Sequence, residues 1–593
     1  MKLPETHAEY IKLARELEES RDTTFSTLAI LSSFTADFLK PYIIVESTAI
    51  DSPLKPWFAP FGQFEQMILD DKSPLWEAKP QILWIAMRIE DIDRHFIYEF
   101  PGLKPDESQK RLTPFSERLI NLAKAARKRF AGPILVSNLT IAEQGPGDIF
   151  DPANAEGLAF RLADENKILA ENLPKISATY IFDYSGAVDS FGASRWKDPR
   201  LWYMARVPFS QGAQKQLAGL LSRTAAATIR PPAKCLVLDL DNTIWGGVLG
   251  DDGPEGIAIG DDYPGSVFKD FQAALLSLRN RGFLLAIASK NNSDTVMAAL
   301  DTHPEMILRS KHFADIRANW DPKPVNLKRI AEKLNIGLDS LVFIDDNPLE
   351  RVQIKAALPM VQIIELPTEP IGYMKTVLES HLLDRPKMLR EDALRADMYQ
   401  QENLRQKLSS STADVGQFLI ELKMQAEVGL MNPQTMERIH QLIHKTNQFN
   451  LTTRRHPLAD LERMGKSSDS YVAWLRLKDR FGELGLVCVG IVRKVKDRVW
   501  EIDTLLMSCR VMGRGVEDAF LSYLAELAMS KDAKSLQGIY IKTAKNNPVA
   551  NFYHDRNFKE IKNSDDSLQQ FEIALTPETF PWPEYIERLN ANE

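Results

Sequence analysis

Cysteine is scarce in this sequence: Cys235, Cys488 and Cys509 are all it holds in 593 residues. Three thiols cannot build a disulfide framework or a Cys-rich zinc site, and so few suit a reducing compartment. Long hydrophobic runs are missing as well. The longest, such as Ile82 to Met87, are strand-sized, which excludes a membrane-spanning helix. The opening residues, Met1-Lys2-Leu3-Pro4-Glu5, lead into a charged helical pattern from Tyr10 to Glu19 with no apolar signal core. Neither sign of charge dominates. The 81 acidic and 73 basic residues leave a net charge of −8, which argues against general nucleic-acid or membrane-surface binding. There is no repeat of fixed period and no low-complexity tract. The expectation is a soluble, cytoplasmic protein with neither a nucleic-acid nor a membrane partner.

What is present is an ordinary globular composition, 44% apolar and 26% charged. The length suits about three or four domains. In residues 1–215, strand-like runs (Thr27 to Leu31, Ile82 to Met87, Ile134 to Val136, Ala178 to Phe182) alternate with amphipathic stretches such as Ser116 to Phe130. That alternation predicts an open, mostly parallel sheet. A helical pattern from Gln211 to Ile229 runs into Arg230-Pro231-Pro232, where paired prolines end the helix. A second α/β unit, 233–368, follows, with apolar runs Cys235 to Leu238, Phe283 to Ala288 and Leu341 to Ile344 between helical patterns 267–280 and 325–334. A charged helical connector, 369–412, leads to a last part, 413–580. It reads as helix Thr435 to Lys445, strands Val487 to Val495 and Trp500 to Met507, helix Val516 to Met529 and strand Gly538 to Lys542.

Four pieces of the middle unit belong together. Asp239-Leu-Asp241-Asn-Thr243 follows the first strand, and Ser289 with Asn291 ends the second. Lys323 lies in Trp320-Asp321-Pro322-Lys323-Pro324, and Asp345-Asp346 ends the third run. Strand C-termini of a parallel sheet share one edge, where open α/β folds bind ligands. Carboxylates gathered there require a cation, and oxygen ligands suit Mg²⁺. A lysine and a hydroxyl suit a phosphoryl group, which one carboxylate can attack while a second protonates the leaving group. Lys328 stands close enough to rival Lys323 for the lysine position.

This order of motifs resembles the haloacid dehalogenase (HAD) superfamily of phosphohydrolases. The resemblance implies Asp239 as nucleophile, Asp241 as general acid/base whose carbonyl also reaches Mg²⁺, and Thr243 as support for the loop. Ser289 and Asn291 would hold the phosphoryl group, Lys323 would stabilise the intermediate, and Asp345 and Asp346 would anchor the metal with Asp239 and Asp241. Only 50 residues separate Asp239 from Ser289 and 56 separate Ser289 from Asp345, leaving no room for a large cap. A bulky or protein-borne substrate fits such an open site.

In the last part, Arg510-Val-Met-Gly513-Arg-Gly515 opens a helix, offering backbone N–H groups to a pyrophosphate. Asn547-Pro-Val-Ala550-Asn-Phe-Tyr553 follows about 35 residues on. Both stretches resemble the acyl-CoA site of GNAT acetyltransferases, where Tyr553 would stand at a general acid's place or else pack as a plain aromatic. Longer stretches point further: Val237 to Val248, Gln441 to Arg455 (with Lys445-Thr-Asn-Gln-Phe-Asn-Leu-Thr-Thr-Arg-Arg455), and Ser508 to Glu517. With the domain order, they resemble the FkbH-like proteins nearly end to end. The resemblance implies an α/β multidomain chain: an SGNH-hydrolase-like open sheet, a HAD-type parallel sheet without a large cap, and a GNAT-like α+β domain. It also implies a phosphatase/transferase that takes a glyceryl unit from 1,3-bisphosphoglycerate, a small phosphorylated acyl donor. Partners would be the phosphopantetheine of an acyl carrier protein, as in polyketide biosynthesis, or CoA.

Two departures qualify this. Glyceryl-loading members commonly carry a cysteine between the motif-one aspartates, where this chain has Leu240. Cys235 lies four residues earlier, over ~10 Å along a strand, and Cys509 reads best as a small buried hydrophobe. The N-terminal part offers Ser32 or Ser33 as a nucleophile, but its histidines are only His7 and His95, with none near Asp183 or Asp189. Without that base the expectation is a binding or structural domain. The run 445–455 could close a helix and start a turn, or its two arginines could meet a phosphate or an acidic carrier helix. Two alternatives therefore stand beside acyl loading: a plain phosphatase with a GNAT-like recognition domain, or an acyl-CoA-dependent acyltransferase with a scaffold HAD domain.

Overall fold

The computed structural model describes residues 3–141, 153–387, 401, 405, 408, 414–543, 545–561 and 568–589. The chain divides into two compact units, Met1–Leu389 and Arg390–Glu593.

The first unit holds two parallel sheets. Strands β1 (Ser26–Ser32), β2 (Leu54–Phe58), β3 (Ile82–Ala86), β4 (Ile134–Ser137) and β5 (Thr179–Phe182) lie in the order β2-β1-β3-β4-β5. These apolar runs lack polar alternation because both faces are covered. Leu28, Ile30, Ile82 and Trp84 enter one core, while Ala29, Leu31, Leu83 and Ile85 enter the core on the opposite face. The helix Gln211–Ile229 has the bounds the sequence predicts, with the Ser210 hydroxyl accepting from Ala213 N–H at its start. Its Leu217, Leu221 and Ala225 pack on the first sheet.

Strands β6 (Cys235–Leu238), β7 (Leu284–Ser289), β8 (Asp315–Ala318), β9 (Leu341–Asp345) and β10 (Gln362–Glu365) form the second sheet, ordered β10-β9-β6-β7-β8 and also parallel. The stretch read as the connector's beginning belongs to this layer. The helix Tyr373–Leu378 follows Pro367, and Tyr373, Val377 and Leu383 enter the second sheet's core. Most of the remaining connector lies outside the described residues. Between Asp239 and Ser289 stand a small hairpin-like flap, bridged at Gly246 and Ala258, and the helix Gly265–Asn280. No large cap is inserted there.

The second unit is a mixed sheet of eight strands. They are β11 (Met424–Leu430), β12 (Ser470–Asp479), β13 (Gly482–Lys496), β14 (Val499–Met507), β15 (Ser535–Ile541), β16 (Lys559–Ile561), β17 (Leu568–Ala574) and β18 (Ile586–Leu589). β11 to β14 form an antiparallel meander. β14 then pairs parallel with β15 after a crossover through the helix Val516–Ser530. That pairing covers only Val499 to Ile502, after which the two strands diverge. No helix among the described residues is long and apolar enough to cross a membrane.

Candidate active site

At the C-terminal edge of the second sheet, the loops after β6, β7, β8 and β9 bring the motif residues together. Asp239 leaves β6 with its N–H held by the carbonyl of Ile344 at 3.0 Å. Lys323 begins the helix Lys323–Lys333, and its Nζ lies 3.0 Å from Asp239 Oδ1 and 2.5 Å from Asp345 Oδ2. Lys328 is exposed instead. Asp239, Asp345 and Asp346 each offer a carboxylate oxygen within 4.8 Å of the others. The Thr243 hydroxyl donates to Asp346 Oδ1 at 3.2 Å. Asn347 N–H donates to Asp345 Oδ1 at 2.8 Å as the next helix begins. Arg351, which no sequence pattern marked, donates to the carbonyls of Asp345 and Asp346, both at 2.7 Å.

Asp241 faces another way. Its Oδ1 accepts from Trp245 Nε1 and Leu249 N–H, both at 2.9 Å, and its Oδ2 accepts from Asn291 Nδ2 at 2.8 Å. The carboxylate of Asp241 therefore lies outside the three-carboxylate cluster. Asn291 also donates to the Ser289 hydroxyl at 3.1 Å, which ties the end of β7 to the Asp241 loop. Asn242 takes a left-handed conformation, φ 54°, that its short polar side chain tolerates, and its Oδ1 accepts from Gly247 N–H at 2.9 Å. This tight turn aims residues 239 and 241 to different partners.

Burial pushes the Asp239 carboxyl up to about 6, against the pull of Lys323 and with Asp345 adding to the rise. Burial raises Asp345 and Asp346 as well. Burial alone would lower Lys323, but Asp239 and Asp345 hold it above its ordinary value. Two buried carboxylates and the half-buried Asp346, with one ammonium, carry unmet negative charge. Hard oxygen donors so arranged fit a hard divalent cation. The arrangement can hold a phosphoryl group between a cation, an ammonium and a hydroxyl, in reach of a carboxylate nucleophile.

Other predicted residues are placed differently. Leu240 is 0% exposed, in the second sheet's core. Cys235 and Cys488 are buried and their thiols are pushed up by that burial. The Cys509 side chain lies outside the described residues. Ser33 Oγ donates to Asp91, and Ser32 Oγ to the carbonyl of Phe34.

In the second unit, Gly513 and Gly515 take positive φ (73° and 70°) ahead of the helix Val516–Ser530. Arg510 Nε donates to Ser508 Oγ at 3.3 Å. A side chain at Gly515 would collide with the Tyr585 hydroxyl, and the helix's first turn carries Glu517 and Asp518. Tyr553 is 1% exposed, packed against Gly538 and among Phe552, Phe558 and Phe571. Burial raises its hydroxyl's pKa. Asn547 is exposed, while its neighbour Asn546 is buried.

The run 445–455 enters the gap between β14 and β15. Leu451 N–H donates to Leu505 C=O at 3.1 Å, and Met507 N–H donates to Phe449 C=O at 3.0 Å. Ile541 N–H donates to Leu451 C=O at 2.9 Å, and Asn546 Nδ2 to Asn450 C=O at 2.9 Å. Arg454 pairs with Asp503, and Arg455 donates to the carbonyls of Ile443 and Thr446. His456 Nε2 lies 3.1 Å from Asp503 Oδ2. Sequence reasoning missed Asn546, Asp503 and His456.

No family model matches the sequence, and no curated protein matches it. Among solved structures, the chain is similar to the N-terminal part of a Bacteroides fragilis protein that contains a phosphatase domain and is complexed with Mg. The two are 26% identical with a TM-score of 0.54, over 64% of this chain and 98% of that one. It is also similar to the GNAT domain of an S. lividans PAT (16% identity, TM-score 0.21, 25% of this chain and 89% of that one). A third similar structure is the ribosomal-protein-S18-alanine N-acetyltransferase of Escherichia coli (10%, 0.20, 26% and 93%).

Proposed function

We propose that the chain is a Mg²⁺-dependent enzyme of HAD type that removes phosphate from a small phosphorylated acyl donor. The observation that carries this reading is Lys323 Nζ lying 3.0 Å from Asp239 within the Asp239, Asp345 and Asp346 cluster. The similarity to a phosphatase-containing structure complexed with Mg supports it. Asp239, Asp345 and Asp346 would hold Mg²⁺, which when bound neutralises phosphoryl oxygens and lets an anionic substrate approach an anionic nucleophile. An Asp239 oxygen forms a bond to phosphorus as the ester P–O bond breaks. The leaving oxygen takes a proton from Asp241, which must first turn from its Trp245, Leu249 and Asn291 partners and then accepts a proton from the water that hydrolyses the aspartyl-phosphate. Ser289 and Asn291 orient the phosphoryl group, Lys323 balances charge on the intermediate, and Thr243 steadies Asp346.

The finer form of the proposal is glyceryl loading. The donor is 1,3-bisphosphoglycerate and the acceptor is the phosphopantetheine thiol of an acyl carrier protein. Two different bonds are then involved. Asp239 acts on the phosphate ester, whereas a thioester forms only if sulfur attacks the acyl carbon and the C–O bond to phosphate breaks. Attack by Asp239 on the acyl phosphate would release a carboxylate and waste the activated acyl group. Arg510, Gly513, Gly515 and Asn547 are the proposed pantetheine contacts, whereas Tyr553, 1% exposed, packs as a plain aromatic.

A second reading, a plain phosphatase with a recognition domain, is favoured by three observations. Leu240 stands where an acyl-carrying cysteine is expected, Tyr553 is buried, and Phe449 to Leu451 fill the gap between β14 and β15. The test is incubation of the full chain with Mg²⁺, freshly made 1,3-bisphosphoglycerate and a phosphopantetheinylated acyl carrier protein. Released phosphate and the carrier's intact mass are followed. A glyceryl mass on the carrier establishes loading, and phosphate release with an unmodified carrier establishes the plain phosphatase. Phosphate release that survives Asp239→Asn overturns both.

A further inference from the structure

The turn at Asn242 is braced from far along the chain. Asn242 is left-handed, and its carbonyl accepts from the Tyr373 hydroxyl at 3.2 Å. Tyr373 opens the helix Tyr373–Leu378, beyond the last strand of the second sheet, and is 3% exposed. Its ring meets Phe268 and Phe271 of the helix Gly265–Asn280 edge-on, with centroids 6.3 and 5.8 Å away. Phe268 in turn covers Gly246 of the flap, where a Cβ would stand 2.8 Å from the Phe268 ring. One side chain therefore touches the turn and backs the helix that supports the flap. The turn has work for such a brace, because its contacts leave in different directions. Asp241 reaches Trp245, Leu249 and Asn291, while the Thr243 hydroxyl reaches Asp346. Burial pushes the Tyr373 hydroxyl up to about 12, so it stays a donor at neutral pH.

The segment that carries Tyr373 is tied to the first sheet's layer. Asp384 accepts from Arg223 Nε at 2.9 Å and from its Nη2 at 2.8 Å, a bidentate pair. Arg223 lies on the helix Gln211–Ile229, which packs on the first sheet through Leu217, Leu221 and Ala225. Arg230, at the end of that helix, donates to the His381 carbonyl at 3.4 Å and to the Ile50 carbonyl at 3.2 Å. Between Tyr373 and Asp384, Val377 and Leu383 are held in the second sheet's core.

We propose that Tyr373 is a positioning residue for the phosphatase site, held in place by the first sheet's layer through the Arg223–Asp384 pair. The proposal rests on the phosphatase reading of the second sheet's edge. It gives the first sheet a part in that reaction without chemistry of its own. Losing the Tyr373 hydroxyl lets the left-handed Asn242 relax, and both Asp241 and Thr243 move with it. A displacement of about 1 Å costs a transition state far more than a bound ground state.

The test follows p-nitrophenyl phosphate turnover by the full chain with Mg²⁺, and amide hydrogen exchange of the same chain in EDTA. Tyr373→Phe is expected to lower kcat about fivefold with KM little changed. It is also expected to speed exchange of the Gly247 and Leu249 amides, bonded to Asn242 and Asp241, about tenfold while β6 and β7 stay protected. Asp384→Asn is expected to lower kcat about twofold alone and to add nothing in the Tyr373→Phe background. Urea unfolding shows that each variant is folded. An inactive parent chain overturns the phosphatase reading, while exchange still decides whether Tyr373 positions the turn. Parental exchange at Gly247 and Leu249 in Tyr373→Phe overturns the proposal, as does an unchanged kcat. So does exchange that speeds equally through β6 and β7, which marks a plain core side chain. Additive losses in the double variant overturn the anchoring by Asp384.

Discussion

The edge of the second sheet and the gap between β14 and β15 are both openings between parallel strands, and they are finished in opposite ways. At the first, the buried Asp239 and Asp345 share a single ammonium beside the half-buried Asp346, and the polar demand of the site exceeds what the chain supplies. At the second, the chain supplies the bonds itself. Phe449 and Leu451 pair with the β14 backbone, Asn546 caps Asn450, and Asp503 meets Arg454, His456 and Thr504. Unmet buried charge costs stability and persists where a ligand or reaction uses it. A fully paired polar network instead rigidifies the fold around it. On this contrast rests our proposal that chemistry takes place at the second sheet's edge.

The contrast breaks most visibly at Asp239. Asp239→Asn should lower phosphate release by at least about 1,000-fold, since the nucleophile is lost. The same substitution should raise the melting temperature of the metal-free protein, because one of three mutually repelling, clustered carboxylates becomes neutral. Stabilisation by added Mg²⁺ should shrink at the same time. Calorimetry with EDTA and with Mg²⁺ checks both signs. A lower melting temperature in EDTA would show that the cluster is not strained.

Lys323 tests the same edge from the other charge. Lys323→Met should destabilise the metal-free first unit by about 3 kcal/mol, because Asp239 and Asp345 lose their buried partner. Mg²⁺ should recover much of that loss in urea unfolding of the full chain, while phosphate release stays impaired. Equal destabilisation with and without Mg²⁺ would place the cation elsewhere.

The legibility of the two regions differed for a physical reason. Asp239, Ser289 and Asp345 each end an apolar run, and a parallel sheet brings such ends to one edge whatever lies between them. Lys323 and Lys328 could not be separated by pattern, because one residue opens the helix beside Asp239 and the other is exposed five positions on. The role of Asp241 was harder still: its carboxylate is aimed by Trp245, Leu249 and Asn291, contacts set by a tight turn at Asn242. In the second unit, the bond from Asn546 to Asn450 spans 96 residues and depends on how 449–451 insert between strands. The motif drew attention to Asn547, one position from the residue that is buried.

That insertion gives a smaller, local effect. Asn546 donates to Asn450 and Ile541 carbonyls and accepts from Thr543 N–H. Asn546→Ala should cost about 3 kcal/mol, since buried backbone groups are left unpaired. Amide exchange of β14 and of 449–451 should speed up, with phosphate release untouched. If exchange stays slow, the segment is held by packing and not by this side chain.

The smallest expected effect concerns pH. Burial alone would raise the Asp503 carboxyl, but His456, Arg454 and Arg493 overcome it and hold the group down to about 2. Its unfolded value is about 3.9. A folded-state pKa below the unfolded one contributes stability that is fully present above about pH 4 and is lost as pH falls toward 2. The contribution amounts to about 2 kcal/mol, from a side chain that is almost wholly buried. Asp503→Asn removes the titrating group, so the stability gap between parent and variant should be widest above pH 5 and narrow by about 2 kcal/mol toward pH 2. Exchange protection of β14 in the full chain, followed across that range, reads the gap locally. A gap independent of pH would mean that Asp503 acts through shape and hydrogen bonding alone, and the polar network beside the filled gap would owe nothing to its charge.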